Sequence, residues 1–499
     1  MNIATIPSPA RQRAAPVAWR AEAGIALLLC AVAVASRMVW FGDATSEPDE
    51  QLYSLIGWNL LDGLWPYDGL WDRKPLGLFA LFAFAHALGG PGPLAYQLLA
   101  TAFAAAGAWL VYRLAQGLAD RRTAIGAGVL YPPLIYAYGS FSGQSEVFLT
   151  PLLLGALLLV RDMPRGLAAR RAAGAILLAG MALQIKYSVL PQCAFLGLAA
   201  LWRMRESGPA RLVRQAAIFA ILGLLPTLFT ATIYAARGEF EAFWFANFAS
   251  ITLRVAAASG RLPPEHLPAL APLIALSLGG LYAAFRARPQ PARADYLLIL
   301  GWSLSILAGI YMLGTVYLYY FAAFVPAAIL LAVPLLAVRP PLGWVPLALA
   351  IMSSVLLLNL PRHAALTREG RAGMAELRAA IAPQLGAGHC LFVFDGPTAL
   401  YRETGSCLPT RFIYPDHLNN PLERFALGVS QEGEVARILR ARPGAIVVAR
   451  DTLADRSTPA RRLVSDTVRS SYRLAAVARI REREILAFLP DSPDSLPQN

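Results

Sequence analysis

The chain has 499 residues, 57% of them hydrophobic and only 15% charged, with a net charge of +13 and a mean hydropathy of +0.50. That composition excludes an ordinary soluble protein, and the long uncharged runs between about residues 21 and 360 read as a polytopic α-helical membrane domain. The positive charge does not form a nucleic-acid patch. It is scattered over Arg11, Arg13 and Arg20, then Arg113 to Arg122, Arg161 to Arg171, Arg203 to Arg214, Arg286 to Arg293, and Arg339. In short loops between spans these are positive-inside signals.

The first apolar run is too long for a simple secretory signal peptide and lacks a small-residue cleavage site, so it reads as an anchor. Apolar segments near 21–42, 93–117, 122–139, 145–161, 171–186, 187–203, 211–235, 265–286, 296–314, 319–338 and 341–360 predict eleven spans. With the N-terminus in the cytoplasm, every arginine cluster falls on the cytoplasmic face. The chain is then a multi-pass protein of a bacterial-type inner (plasma) membrane, and its C-terminal part lies outside. The apolar segment from Leu76 to Gly90 is only about 15 residues long, below spanning length, and reads as a re-entrant or interfacial helix. It belongs to a first outer loop, about 43–92.

That loop opens with "EPDEQLY", Glu47 to Tyr53. Leu52, Leu55, Ile56 and Leu60 share one helical face, and Pro48 suits a first turn. Asp49 and Glu50 suit its positive end, so on spacing alone the acids cap an interfacial helix and Glu47 is a first-turn or surface acid. The lysines are more telling, because only two of the 44 basic residues are lysine. Lys74 follows Asp72 and Arg73 in the outer loop, and Lys186 ends the fifth span. Both face outward, against the positive-inside trend. The plain readings are a surface ion pair of Lys74 with Asp72 and a snorkelling Lys186.

Glu146 opens the fourth span at the same face, where a carboxylate is costly unless it caps a helix or lines a polar cavity. Tyr311, Tyr317, Tyr319 and Tyr320 gather there too, as an aromatic belt or as a surface for a sugar or phosphate. Together these groups predict an outward-facing polar cavity with cations for an anion and a carboxylate for base chemistry. An anionic lipid-linked donor satisfies the set, its phosphate on Lys74 or Arg73.

From about residue 361 charges become dense, and 361–499 reads as a soluble α/β domain following the membrane domain of 1–360. "HCLFVFD" and "GAIVVAR" read as buried strands and "EGEVARILRAR" as an amphipathic helix. The roles open to this domain are acceptor docking, covering the cavity, or structure alone. Cys30 and Cys193 lie in apolar runs, whereas Cys390 and Cys407 pair if the domain is extracytoplasmic and are free thiols if not. The default expectation is no cofactor. Paired acids leave room for a divalent metal, but no dense His/Asp cluster demands one.

In order and spacing, "PDEQLY", "LWDRKPLG", "GQSEVF", "LQIKYSVLP" and "YLYYFAAFVP" resemble the GT-C glycosyltransferase superfamily. The likeness is greatest to its protein O-mannosyltransferase and lipid A aminoarabinose transferase branch. The resemblance implies an inverting membrane enzyme that moves a hexosyl or pentosyl group from a polyprenyl-phosphate-linked donor to a hydroxyl of a glycan, lipid or protein. Asp49 matches the family's catalytic carboxylate, Lys74 its donor-phosphate lysine and Glu146 an acidic sugar or acceptor position. Glu50, Tyr53, Asp72, Arg73, Lys186, Tyr317 and Tyr320 complete the expected donor and substrate contacts, among membrane lipids and without nucleic acid. The sequence departs from the family at Leu76, where a second proline is usual, at Arg73, and at Thr315 and Tyr319, which replace a basic residue and a histidine. The competing reading is a non-catalytic transporter or flippase of lipid-linked anions. It is disfavoured by the lack of an internal repeat and by ionisable groups confined to one face.

Overall fold

The computed structural model describes residues 17–163, 168–255, 262–286, 293–312, 314–337, 343–386 and 389–491. Arg11, Arg13 and Arg339 lie outside the described residues. The chain begins with helix α1 (Val17–Arg37), then α2 (Pro48–Leu61) and α3 (Leu76–Gly89) in the first loop, followed by α4 (Pro93–Ala115), α5 (Arg121–Ala137), α6 (Ser145–Arg161), α7 (Ala168–Leu183), α8 (Leu190–Arg203) and α9 (Pro209–Ala236). Among the described residues seven helical segments are long and apolar enough to cross a membrane, and α3 is shorter. The protein is a multi-pass membrane protein.

Four of the eleven expected spans fall short of that length: α5, α6, α7 and α8 have 17, 17, 16 and 14 residues. The physical reason is local. The segment 138–144 between α5 and α6 is polar and turn-rich, and α7 stops at Leu183 where Gln184 to Lys186 turn away. The irregular segments at these ends place Glu146 in the first turn of α6 and leave Lys186 in the turn after α7. Arg37, buried at the end of α1, donates to Thr101 Oγ1 at 3.3 Å and to the carbonyls of Ser140, at 2.8 Å, and Ser142. It supplies partners to a loop backbone that otherwise lacks them.

Beyond Leu358, Asn359 adopts a left-handed conformation (φ 41°) and the helix Leu360–Ile381 leads to a four-stranded sheet. Its strands are β1 (Leu391–Val393), β2 (Ala445–Ala449), β3 (Tyr472–Ile480) and β4 (Arg483–Pro490), in spatial order β1-β2-β4-β3. β1 and β2 are parallel and the other pairs antiparallel. The expected strands and the helix Gln431–Arg440 are present. The β3–β4 hairpin, with Arg481 and Glu482 at positive φ in its turn, was not foreseen.

Alternation along β2 sends Ile446 and Val448 to one face and Val447 and Ala449 to the other. The first face packs under the helices Gln431–Arg440 and Pro459–Ser471 in a core that also takes in Trp71 from the loop between α2 and α3. The second face joins the core of the membrane helices. Trp71 is thus a plug. Its N–H donates to Arg411 O at 2.9 Å, and its ring lies 5.6 Å from Phe412 and 4.7 Å from His417.

Candidate active site

Between the loop 43–92, the adjoining ends of the membrane helices and the C-terminal region lies a cavity of about 690 Å³. The loop enters it at α2. Glu47 is extended at the helix N-cap, Pro48 opens the first turn, and Asp49 and Glu50 follow. Successive helical residues diverge by about 100°, so the two acids point different ways. Asp49 lines the cavity. Its Oδ2 accepts from Tyr53 Oη at 3.2 Å and its Oδ1 from Tyr414 Oη at 2.7 Å.

Glu50 turns away from the cavity. It is fully buried and accepts from Ser46, from Tyr96 Oη at 3.1 Å and from the Gly143 N–H at 2.5 Å. It ties α2, α4 and the 138–144 segment together and is not among the residues that line the cavity. Glu47, read from sequence as a plain surface acid, lines the cavity and pairs with Arg481 at 3.4 Å. Burial pushes its pKa up to about 8, against the pull of Arg481.

The segment after α2 presents Lys74. Tyr67 takes a positive φ of 75°, a conformation costing roughly 1–3 kcal/mol in a residue other than glycine. Its hydroxyl donates to Lys74 O at 2.9 Å. Gly77 then lies against α7's end: a Cβ there would sit 2.7 Å from Gln184 O, and Leu78 N donates to the same carbonyl at 3.0 Å. These contacts bring the two lysine-bearing turns together.

Lys74 lines the cavity with its ammonium 5.8 Å from the Tyr53 ring centroid. Among the described residues it has no ion-pair partner, so the expected surface pair with Asp72 is not formed. Asp72 is buried and its carboxylate accepts from the Arg73 N–H at 2.5 Å. Burial raises its pKa, opposed by Lys74 and Arg73.

Lys186 does not snorkel. It is buried and its Nζ pairs with Glu146 Oε1 at 2.5 Å, lying 4.2 Å from the Tyr320 ring centroid. It lines the cavity, whereas Glu146 stands behind it. Tyr317, Tyr319 and Tyr320 form one aromatic cluster on the cavity wall, with centroids 4.8–5.5 Å apart. Tyr311 is exposed outside it. Arg73 turns from the centre to the C-terminal domain, where Glu423 accepts from both of its terminal nitrogens and from Arg254 Nε at 2.7 Å. Arg254 also donates to Tyr317 Oη at 3.3 Å.

The far wall was not legible beforehand. Tyr414, Asp416, His417 and Glu423 reach the cavity from the C-terminal domain, as do Asp395, Arg481 and Arg483. Burial, reinforced by Asp49, raises the Tyr414 pKa well above the ordinary value and keeps its hydroxyl a donor. Burial lowers His417 to about 3, so its ring is neutral. Cys390 and Cys407 are joined in a disulfide. Among the described residues no group of three or more His, Cys, Asp and Glu is gathered as a metal site.

No protein-family model and no curated protein sequence matches the chain. Solved structures do. ArnT from Cupriavidus metallidurans bound to undecaprenyl phosphate superposes with a TM-score of 0.63 at 14% identity, over 97% of this chain and 100% of that one. The chain has the GT-C fold. A second GT-C structure agrees: the archaeal oligosaccharyltransferase AglB from Archaeoglobus fulgidus, in complex with an inhibitory peptide and a dolichol-phosphate. It has a TM-score of 0.52 at 11% identity, over 97% of this chain and 76% of that one. At these identities the likeness concerns the GT-C fold, and the chemistry must be argued from this chain's own cavity.

Proposed function

We propose that the protein is an integral-membrane glycosyltransferase that takes a sugar from a polyprenyl-phosphate-linked donor to an acceptor hydroxyl at the outer face of the membrane. The observation that carries this reading is one cavity holding the Asp49 carboxylate together with the unpaired Lys74 ammonium, Lys186 and the tyrosine cluster. Lys186 is already paired with Glu146, whereas Lys74 has no ion-pair partner among the described residues and is placed to meet a phosphate. A lipid phosphate on both GT-C neighbours supports the same donor class. The Cys390–Cys407 bridge supports an extracytoplasmic C-terminal domain, since such bonds persist in oxidising compartments.

In this reading the acceptor hydroxyl attacks the anomeric carbon while Asp49 takes its proton. The bond from the anomeric carbon to the phosphate oxygen breaks, and its electron pair stays on the polyprenyl phosphate. Lys74 stabilises the negative charge that develops there. A single displacement inverts the anomeric centre. The tyrosine cluster offers faces on which a sugar ring stacks.

The test is binding of undecaprenyl phosphate to the purified protein, then transfer from a panel of undecaprenyl-phosphate sugars. Lys74→Ala should weaken donor binding about tenfold or more, as expected for a charge-assisted contact. Unchanged donor affinity would remove Lys74 from the phosphate site.

A further inference from the structure

Asp49 sits on the first turn of a short helix, and nothing in that helix fixes both of its carboxylate oxygens. Tyr53, one turn on, holds Oδ2 at 3.2 Å. The shorter bond comes from 365 residues away, where Tyr414 Oη donates to Oδ1 at 2.7 Å. Tyr414 stands immediately before the helix Pro415–Asn419. Its ring meets His417 edge-on at 5.3 Å, and His417 in turn lies against Trp71. The same stretch is tied to the outer loop by Trp71 N to Arg411 O and by the Arg73–Glu423–Arg254 cluster. The hydroxyl therefore reaches Asp49 only when the C-terminal domain is seated on the loop.

We infer that Tyr414 is a positioning residue of the active site: its hydroxyl orients the Asp49 carboxylate toward the acceptor, so that the base is set only with the C-terminal domain docked. The inference rests on the transferase reading above. A carboxylate held at one oxygen retains rotational freedom that a base must lose before it can take a proton in line with attack. Tyr414 removes that freedom in advance. The C-terminal domain thereby becomes part of the catalytic apparatus in addition to covering the cavity. Donor capture by Lys74 does not pass through Tyr414.

The experiment uses the full-length protein in detergent with an undecaprenyl-phosphate sugar that the wild type accepts. Tyr414→Phe keeps the ring and its packing and removes the hydroxyl. We expect kcat to fall between about 10- and 100-fold, on the scale of a misplaced reacting group. KM for the donor should stay within about twofold and the thermal midpoint should not move. Glu423→Gln, which leaves Tyr414 intact and loosens its seat, should lower kcat in the same sense. A Tyr414→Phe protein that turns over at the wild-type rate overturns the inference. So does one whose donor KM rises by the full loss in kcat/KM, which would make Tyr414 a binding residue. A wild type that transfers from no donor in the panel overturns the transferase reading itself.

Discussion

Replacing Glu423 with glutamine keeps the side chain's volume and removes the charge that two guanidinium groups share. The carboxylate is 3% exposed and accepts from Arg73 Nη1 at 2.9 Å, Arg73 Nη2 and Arg254 Nε at 2.7 Å. Breaking a buried pair by removing one partner costs about 3–5 kcal/mol, because the other charge is left uncompensated. The Arg73 and Arg254 side chains retain 18% and 16% exposure, so water relieves part of that cost and about 3 kcal/mol is the expected loss. At about 1.4 kcal/mol per factor of ten, the local opening equilibrium of the docked stretch 411–424 should rise about 100-fold. Amide hydrogen exchange over that stretch reads the change directly.

Acid should act on the same contact. Burial alone would raise the Glu423 pKa, but Arg73 and Arg254 overcome it and hold it below the ordinary glutamate value. A depressed folded pKa contributes stability that is fully present above the unfolded value near 4.5 and is lost as pH falls through the folded value. Protection over 411–424, taken relative to the intrinsic exchange rate at each pH, should therefore fall at low pH in the wild type, and that part of the pH response should be missing in Glu423→Gln. Equal protection in wild type and variant at neutral pH would refute the idea that this cluster seats the domain.

Two further outcomes follow from the geometry. Glu47 has its pKa raised to about 8 by burial; its contribution is fully present below about pH 4.5 and is lost as pH rises through 8. Thermal midpoints measured from pH 4.5 to 8 should decline less steeply in Glu47→Gln than in the wild type, and parallel curves would contradict the assignment. The Cys390–Cys407 bridge closes a sequence separation of 17 residues, a loop whose cross-link is worth about 3 kcal/mol. Cys407→Ser should lower the unfolding midpoint of the C-terminal domain, and reductant should have the same effect on the wild type but none on the variant.

How far the site could be read in advance depended on chain distance. Lys74 and Lys186 stood out as the two lysines in an arginine-rich chain, and both line the cavity. Asp49 and Glu50 look equivalent in "PDEQ", yet neighbouring positions on a helix face apart, and Glu50 went inward to Ser46, Tyr96 and Gly143. The strands Leu391–Val393 and Ala445–Ala449 announce themselves as short unbroken apolar runs because both of their faces are covered. The β3–β4 hairpin does not, since β3 mixes exposed and buried positions irregularly and carries a register shift near Ala476. Tyr414, Glu423 and Arg254 had no local signal at all. Their roles arise from segments far apart in the chain, 350 and 365 residues for Arg73–Glu423 and Asp49–Tyr414 and 169 for Arg254–Glu423, meeting around Trp71, which no periodicity encodes. The four shorter helices α5 to α8 have a similar origin: hydropathy continues past the points where the helices stop.

The central claim is that Asp49 is the base in a sugar transfer from a polyprenyl-phosphate donor. Asp49→Asn is nearly isosteric, keeps a carbonyl oxygen to accept from Tyr414 or Tyr53, and cannot take a proton. The decisive measurement is the single-turnover rate of sugar transfer from an accepted undecaprenyl-phosphate donor by the purified variant. The account predicts a loss of about 100-fold or more, the scale of general base catalysis, with donor binding retained. Transfer at the wild-type rate would contradict it.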